Sequence, residues 1–263
     1  MALHGGPLNP LASELAELVA DALAAAEDAR RRGFLTAPGE LPLPEGPGPS
    51  DAVAPGAAAS GWSALAVEAR AADRNGAREL QRVREELGDC RRCSLCQGRR
   101  TLVFGVGNPE ADLVVMGEAP GDLEDRQGEP FVGPSGQMLD KMLQHVLGLE
   151  RSESYLLNLV KCRPPKNRHP LPDEVEACRP FLEAQLQAIR PKLVLVLGAV
   201  AYQALFRTDT AISGVRGRWQ DYQGIPVMPT FHPAYLLRNP AEKRHTFADL
   251  KMVRQRYDEL SRS

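Results

Sequence analysis

Residues 113–121 read Leu-Val-Val-Met-Gly-Glu-Ala-Pro-Gly, a short apolar run that stops at a turn rich in Gly and Pro. Such a run, bounded by turn residues, is the signature of a buried strand. Gly117, Ala119, Pro120 and Gly121 then form a tight turn whose backbone N–H groups can approach a ligand closely. The same G-x-x-P-G spacing also serves as an ordinary strand-to-helix turn. Moving outward, similar runs recur at 155–160, 193–197 and 225–230, and helical patterns alternate with them at 136–147, 173–189, 200–206 and 242–260. This alternation predicts βαβ units, hence an α/β, three-layer αβα fold around a central, mostly parallel four-stranded sheet. Ligands of such sheets bind at the carboxyl ends of the strands.

Before this core the character of the chain changes. Asn9-Pro10 is an N-cap followed by a first-turn proline, and Leu11, Leu15, Leu18, Val19 and Leu23 recur on one face. An amphipathic helix is expected over 1–32, free to dock on the core or to recruit a protein partner. Residues 33–61 hold six Pro and six Gly and almost no aromatic residues. That composition cannot bury enough surface to offset its ordering entropy, so 33–63 reads as a disordered linker. A helix is expected over 64–88, and the folded domain over 76–263.

Charge divides the same way. Residues 1–75 carry 5 Lys/Arg against 10 Asp/Glu, leaving 27 against 24 in the rest of the chain. A mildly basic core is compatible with a nucleic-acid partner without establishing one. No apolar run approaches the ~20 residues of a membrane span, and the first residues lack the basic and apolar regions of a signal peptide. The expectation is a soluble, cytoplasmic, nucleoid-associated protein, monomeric and without a membrane partner.

Four cysteines follow the spacing C-x2-C-x68-C-x15-C at Cys90, Cys93, Cys162 and Cys178. Four soft thiolates suit zinc or an iron–sulfur cluster, and a CxxC pair supplies two ligands from one turn. Disulfides are disfavoured in a reducing compartment. Cys96 is the fifth, and by spacing alone Cys93/Cys96 forms an equally good pair.

Three polar residues fall at expected strand ends. Glu118 follows the first run. Asn158 interrupts the apolar 155–160 run, where it is either a buried structural amide or a reader of a base edge. His232 follows the last run in Phe231-His232-Pro233. A lone histidine is more often structural than catalytic, and the convergence of three strand ends is what raises its interest.

The stretches GEAPGDLEDRQGEPFVG (117–133), NLVKCRPPKNRHPLPDE (158–174) and FHPAYLLRNP (231–240), with the cysteine spacing, resemble the family 4, iron–sulfur uracil-DNA glycosylases. The resemblance covers roughly residues 84–258 and implies a DNA-repair enzyme that flips uracil out of DNA, because the base cannot be reached inside the stack. It implies a [4Fe–4S] cluster on Cys90, Cys93, Cys162 and Cys178, with Cys96 where the family usually has another residue. Phe131 is then expected to stack on uracil, Asn158 to bond its Watson–Crick edge, Glu124 to fill the space beside C5 and so refuse thymine, and His232 to donate to O2. Ala119 stands where a related branch carries a water-orienting aspartate, which implies a dissociative reaction with Glu118 as a possible aid to water or sugar. Lys161, Arg163, Lys166 and Arg168 are expected to grip phosphates, and Leu236, Leu237 and Arg238 to form the minor-groove wedge.

Two other readings compete. A related branch traps uracil-DNA covalently through a histidine in a basic insertion, and His169 lies in the corresponding interval, although the insertion is missing. The fold can also serve as a non-catalytic DNA-binding module; the intact Glu118, Phe131, Asn158 and His232 set speaks against that.

Overall fold

The structure, a computed structural model, describes residues 75–261. The expected helix over 1–32, the linker over 33–63 and most of the leading part of the 64–88 helix lie outside the described residues.

Six strands form one sheet: β1 (Val106–Gly107), β2 (Leu113–Gly117), β3 (Tyr155–Asn158), β4 (Leu193–Leu197), β5 (Gln220–Tyr222) and β6 (Ile225–Thr230). Their order is β1-β3-β2-β4-β6-β5. The four central strands run parallel, with Val115 opposite both Leu156 and Leu195, and Leu195 opposite Met228. The expected four-stranded sheet is thus its centre, widened by two antiparallel edge strands. These escaped the sequence pattern because they are two and three residues long and not buried. β5 and β6 are joined through Gln223 and Gly224, both at positive φ (54° and 80°), as a tight hairpin turn requires.

Every residue of β2, β3 and β4 is buried, so these strands are apolar instead of alternating, but for Asn158 at the end of β3. Their side chains feed two cores. Val114, Met116, Leu157, Val194 and Val227 face one side, under α1 (Gly76–Leu87), α4 (Pro172–Ile189) and α5 (Ala199–Phe206). Leu113, Val115, Leu156, Leu195 and Met228 face the other, under α3 (Pro134–Met142), α7 (Pro233–Arg238) and α8 (Lys243–Ser261). The short α2 (Asp122–Gln127) and α6 (Ile212–Val215) complete the α-helices among the described residues. The helix expected over 136–147 is realised as α3 continued by a π turn at Leu143–Leu147. No helix among the described residues is long and apolar enough to cross a membrane.

The end of β6 is held by one buried charge. Asp249 of α8, 2% exposed, accepts from Thr230 Oγ1 (2.6 Å) and from Arg216 Nε (3.1 Å) and Nη2. Arg216 also donates to the His245 carbonyl (2.6 Å) and lies 5.4 Å from the Phe231 ring centroid. Removing one partner of a buried pair leaves a charge without compensation. Arg216→Met is therefore expected to lower unfolding free energy by about 3–5 kcal/mol, read from urea denaturation at neutral pH.

Candidate active site and thiol cavity

The carboxyl ends of β2, β3 and β6 meet above the sheet, and a glycine makes the meeting possible. A Cβ added to Gly117 would lie 2.5 Å from Asn158 Oδ1 and 2.6 Å from Phe131 Cζ, closer than carbon tolerates. Gly117 is paired with Asn158 across the ladder, and the bonding continues beyond β3 through Leu159 N to Gly117 O (2.9 Å) and Val160 N to Glu118 O (3.2 Å). The strand itself ends at Asn158, two residues before the expected limit. The Asn158 side chain is enclosed (3% exposed), yet its carboxamide makes no hydrogen bond among the described residues. An enclosed amide without a protein partner is available to a ligand.

Phe131 is held in an unusual backbone state, φ 57°, which is costly for a bulky residue. Arg151 compensates, donating to the carbonyls of Phe131 (3.0 Å) and Pro130 while its Nη1 also bonds Asp140 Oδ1 (3.0 Å). On the far side Gly136 leaves room, since a Cβ there would strike the Phe131 carbonyl at 1.8 Å. Glu124 straps the Phe131 loop to the Gly117–Gly121 turn: Oε1 accepts from Val132 N and Gly133 N (both 3.1 Å), and Oε2 from Gly121 N (3.1 Å). With both oxygens on backbone amides, Glu124 is fixed between the two loops and is not a free acid or base.

His232 leaves β6 as the N-cap of α7, with Nδ1 accepting from Ala234 N at 3.1 Å. The neutral ring therefore carries its proton on Nε2. Burial pulls its pKa down to about 4, the Arg238 charge acting in the same direction and Glu124 against it. The imidazole centroid lies 6.3 Å from that of Phe131, the planes tilted by 31°. Gly198, at φ 92° after β4, lets the His232 side chain come close; a Cβ there would sit 3.0 Å from His232 Cβ. Glu118 reaches away from the strand, with Oε1 at 2.7 Å from His169 Nδ1.

The expected DNA-gripping residues divide. Lys161 is 1% exposed, its Nζ donating to the Asn158 carbonyl (2.7 Å), so it cannot contact phosphate. Arg168 forks onto Glu174 (2.8 and 2.7 Å) and is a structural clamp. Arg163 pairs with Asp122 and with Asn167 (2.7 Å), while Lys166 is exposed. Leu236 is 1% exposed and belongs to the core, so it is no wedge; Leu237 is 43% exposed and Arg238 is exposed beside it.

All five cysteines line one cavity, with Leu87, Leu102 and Ala177 as apolar wall and Arg92, Arg99 and Lys161 around it. No group of three or more His, Cys, Asp or Glu among the described residues is placed to hold a single metal ion. Arg99 Nη1 donates to Cys162 Sγ (3.1 Å) and to the Cys90 carbonyl (2.8 Å), and Arg92 Nη1 to Cys90 Sγ (3.4 Å). Burial pushes the Cys162 thiol up to about 11 and raises Cys93 and Cys178 as well. Lys161, in turn, is pulled down to about 8 by burial, with Cys178 and Cys162 opposing. Glu174, wholly enclosed, ties the cysteine segments together by accepting from Arg168, Leu171 N (2.8 Å) and Ser94 Oγ (2.9 Å). The Arg168 bond is the main cause that lowers its pKa to about 2.

Arg151, Gly198 and Arg99 lie in no site motif, whereas Glu174 closes the 158–174 stretch. Only Glu174 was partly visible, as the third residue of a helix that opens with Pro172.

The sequence model of the Uracil DNA glycosylase superfamily matches residues 104–252. The chain is similar to the type-4 uracil-DNA glycosylase of Sulfurisphaera tokodaii, 40% identical over 184 residues, which are 67% of this chain and 84% of that one. It is 43% identical over 164 residues to the type-4 uracil-DNA glycosylase of Thermotoga maritima, covering 61% of this chain and 84% of that one. The type-5 uracil-DNA glycosylase of Thermus thermophilus is 35% identical over 117 residues, 39% of this chain and 53% of that one. Strand-end geometry and family agree: the chain belongs to the uracil-DNA glycosylase superfamily, in its type-4 branch.

Proposed function

We propose that the protein flips uracil out of DNA and hydrolyses its N-glycosidic bond, leaving an abasic site as the first step of base excision repair. The observation that carries this reading is the meeting of the Phe131 ring and the unengaged Asn158 carboxamide at Gly117, with the neutral His232 ring 6.3 Å from that of Phe131. A flipped base costs a few kcal/mol in lost stacking and pairing, which the pocket must return. Phe131 offers its face to the ring. Asn158 reads the edge where uracil presents an acceptor and cytosine a donor, a distinction that leaves the wrong base unpaired. Glu124, immobilised by three backbone N–H groups, is the wall beside C5 that excludes the thymine methyl. As the glycosidic bond breaks, electrons collect on the uracil, and His232 Nε2–H stabilises them at O2 in the manner of an oxyanion donor. Ala119 cannot orient water, so leaving-group stabilisation dominates.

The thiol cavity fits a [4Fe–4S] cluster on Cys90, Cys93, Cys162 and Cys178. A cluster held by four thiolates carries net negative charge, and Arg92, Arg99 and Lys161 surround it with positive charge. When bound, it supplies a crosslink between the segments that flank the pocket; the hydrolysis itself transfers no electron. Lys166 and Arg238, both exposed, remain as phosphate contacts, and Leu237 as the wedge. Leu123, in α2, and Leu171, the residue before α4, are both exposed.

His232→Ala is expected to slow single-turnover uracil release by about 10²–10³; a rate equal to wild type would sink the leaving-group role. Because the folded pKa lies near 4, below the ordinary 6.5, His232 stays neutral through the physiological range. The rate should thus show no acid limb near pH 6.5 from this residue, falling only as pH approaches 4. The same shift means that the unfolded chain takes the proton first, so its contribution to stability is complete above about 6.5 and fades as pH drops toward 4.

Cys162→Ser and Cys178→Ser should lose iron and visible absorption on purification, whereas Cys96→Ser should keep both, as measured by iron content per chain. Leu237→Ala should reduce uracil release from duplex DNA with the fold intact, while Leu236→Ala should instead cost about 2–5 kcal/mol of stability, read by urea unfolding alongside the kinetics.

A further inference from the structure

Glu118 and His169 are 51 residues apart in sequence and 2.7 Å apart in space. Glu118 adjoins Gly117, the residue around which the uracil pocket is built, and its side chain is 24% exposed. His169 sits in the loop between Cys162 and α4, 75% exposed. The backbone on either side of it is pinned. Arg168 forks onto the enclosed Glu174, Leu171 N donates to the same carboxylate, and Arg163 and Asn167 bond each other. The loop therefore presents His169 from a fixed base, leaving only the imidazole to rotate. An ionised carboxylate can only accept, so in this contact Nδ1 donates to Glu118 Oε1. Oε2 has no hydrogen-bond partner among the described residues.

We infer that His169 is a positioning residue: it fixes the Glu118 carboxylate so that the open oxygen holds the attacking water at the sugar. This rests on the glycosylase reading and supplies the function that Ala119 lacks. The balance is simple. The C1′–N1 bond breaks with its electron pair leaving on uracil, where His232 stabilises it. The water oxygen bonds C1′, and its proton passes to the Glu118 carboxylate and on to solvent. His169 keeps its own proton throughout and touches neither sugar nor base, so it acts only through Glu118.

The test uses the full-length, cluster-containing protein and a uracil-containing duplex oligonucleotide under single-turnover conditions. His169→Ala is expected to slow release by about tenfold, the scale of one hydrogen bond in a transition state. Binding to a duplex carrying a 2′-fluorinated deoxyuridine, whose glycosidic bond resists cleavage, should not change. His169→Gln keeps an N–H donor and should recover most of the rate, which a merely structural role would not require. Glu118→Gln should be slow, and adding His169→Ala to it should slow it no further, because both changes remove the same water.

Three results would overturn the inference. One is a wild-type rate in His169→Ala. Another is equal slowing by Ala and Gln with weakened DNA binding, which would make the contact a scaffold. The third is a protein–DNA adduct that survives denaturing electrophoresis and disappears in His169→Ala, which would make His169 a nucleophile. Failure of the parent reading looks different, since then the wild-type protein itself releases no uracil.

Discussion

The absence of a side chain at Gly117 is the constraint on which the rest of the site depends. A Cβ there would collide with both the Phe131 ring and the Asn158 carboxamide, so the two can flank one point only while that position stays bare. Its consequences spread outward. Phe131 must approach from a loop in a left-handed backbone state, and that state persists because Arg151, Glu124 and Gly136 over-determine it from three sides. Asn158 must sit opposite Gly117 in the ladder, which the parallel register of β2 and β3 provides. The apolar sheet beneath is rigid enough to hold these positions, with β2, β3 and β4 buried on both faces.

A second theme is how charge is placed. The groups facing the pocket are kept neutral or engaged. His232 is pulled toward the neutral form by burial, and Glu124 is saturated by backbone amides. The charges that are buried serve as fasteners. Asp249 ties the exit of β6 to α8, and Glu174 ties the Ser94 turn to α4. Lys161 joins the two halves of the site, since its ammonium lies at the thiol cavity while it donates to the carbonyl of Asn158. The thiol cavity and the strand-end site at Asn158 thereby share a side chain.

Much of the fold was legible in short stretches. Each of the four central strands is an apolar run closed by Gly, Pro or a polar residue, and each long helix carries a 3.6-residue pattern, so local chemistry suffices to place them. The edge strands were illegible because Val106–Gly107 and Gln220–Tyr222 have neither the length nor the burial to imprint a pattern. In the site, Gly117, Phe131, Asn158 and His232 stood out because strand-end position and residue type coincide. Three of the basic residues misled for a single reason: sequence reports that Lys161, Arg163 and Arg168 are cationic but not what faces them. Burial removed Lys161, and a carboxylate partner claimed Arg168. Leu236 and Leu237 differ by one residue, which on a helix is a turn of about 100° and here separates core from surface.

By itself, then, the sequence determined the layered αβα architecture, the family and the residues at the strand ends, because these depend on hydrophobic periodicity and on motifs contiguous along the chain. Only the tertiary structure decided which charged groups are partners and which are free, what state the histidine holds, and that Arg151, Arg99 and Glu174 belong to the site at all. Those properties arise from contacts between segments far apart in the chain, where burial and the nearest opposite charge, not residue type, set the behaviour of each group.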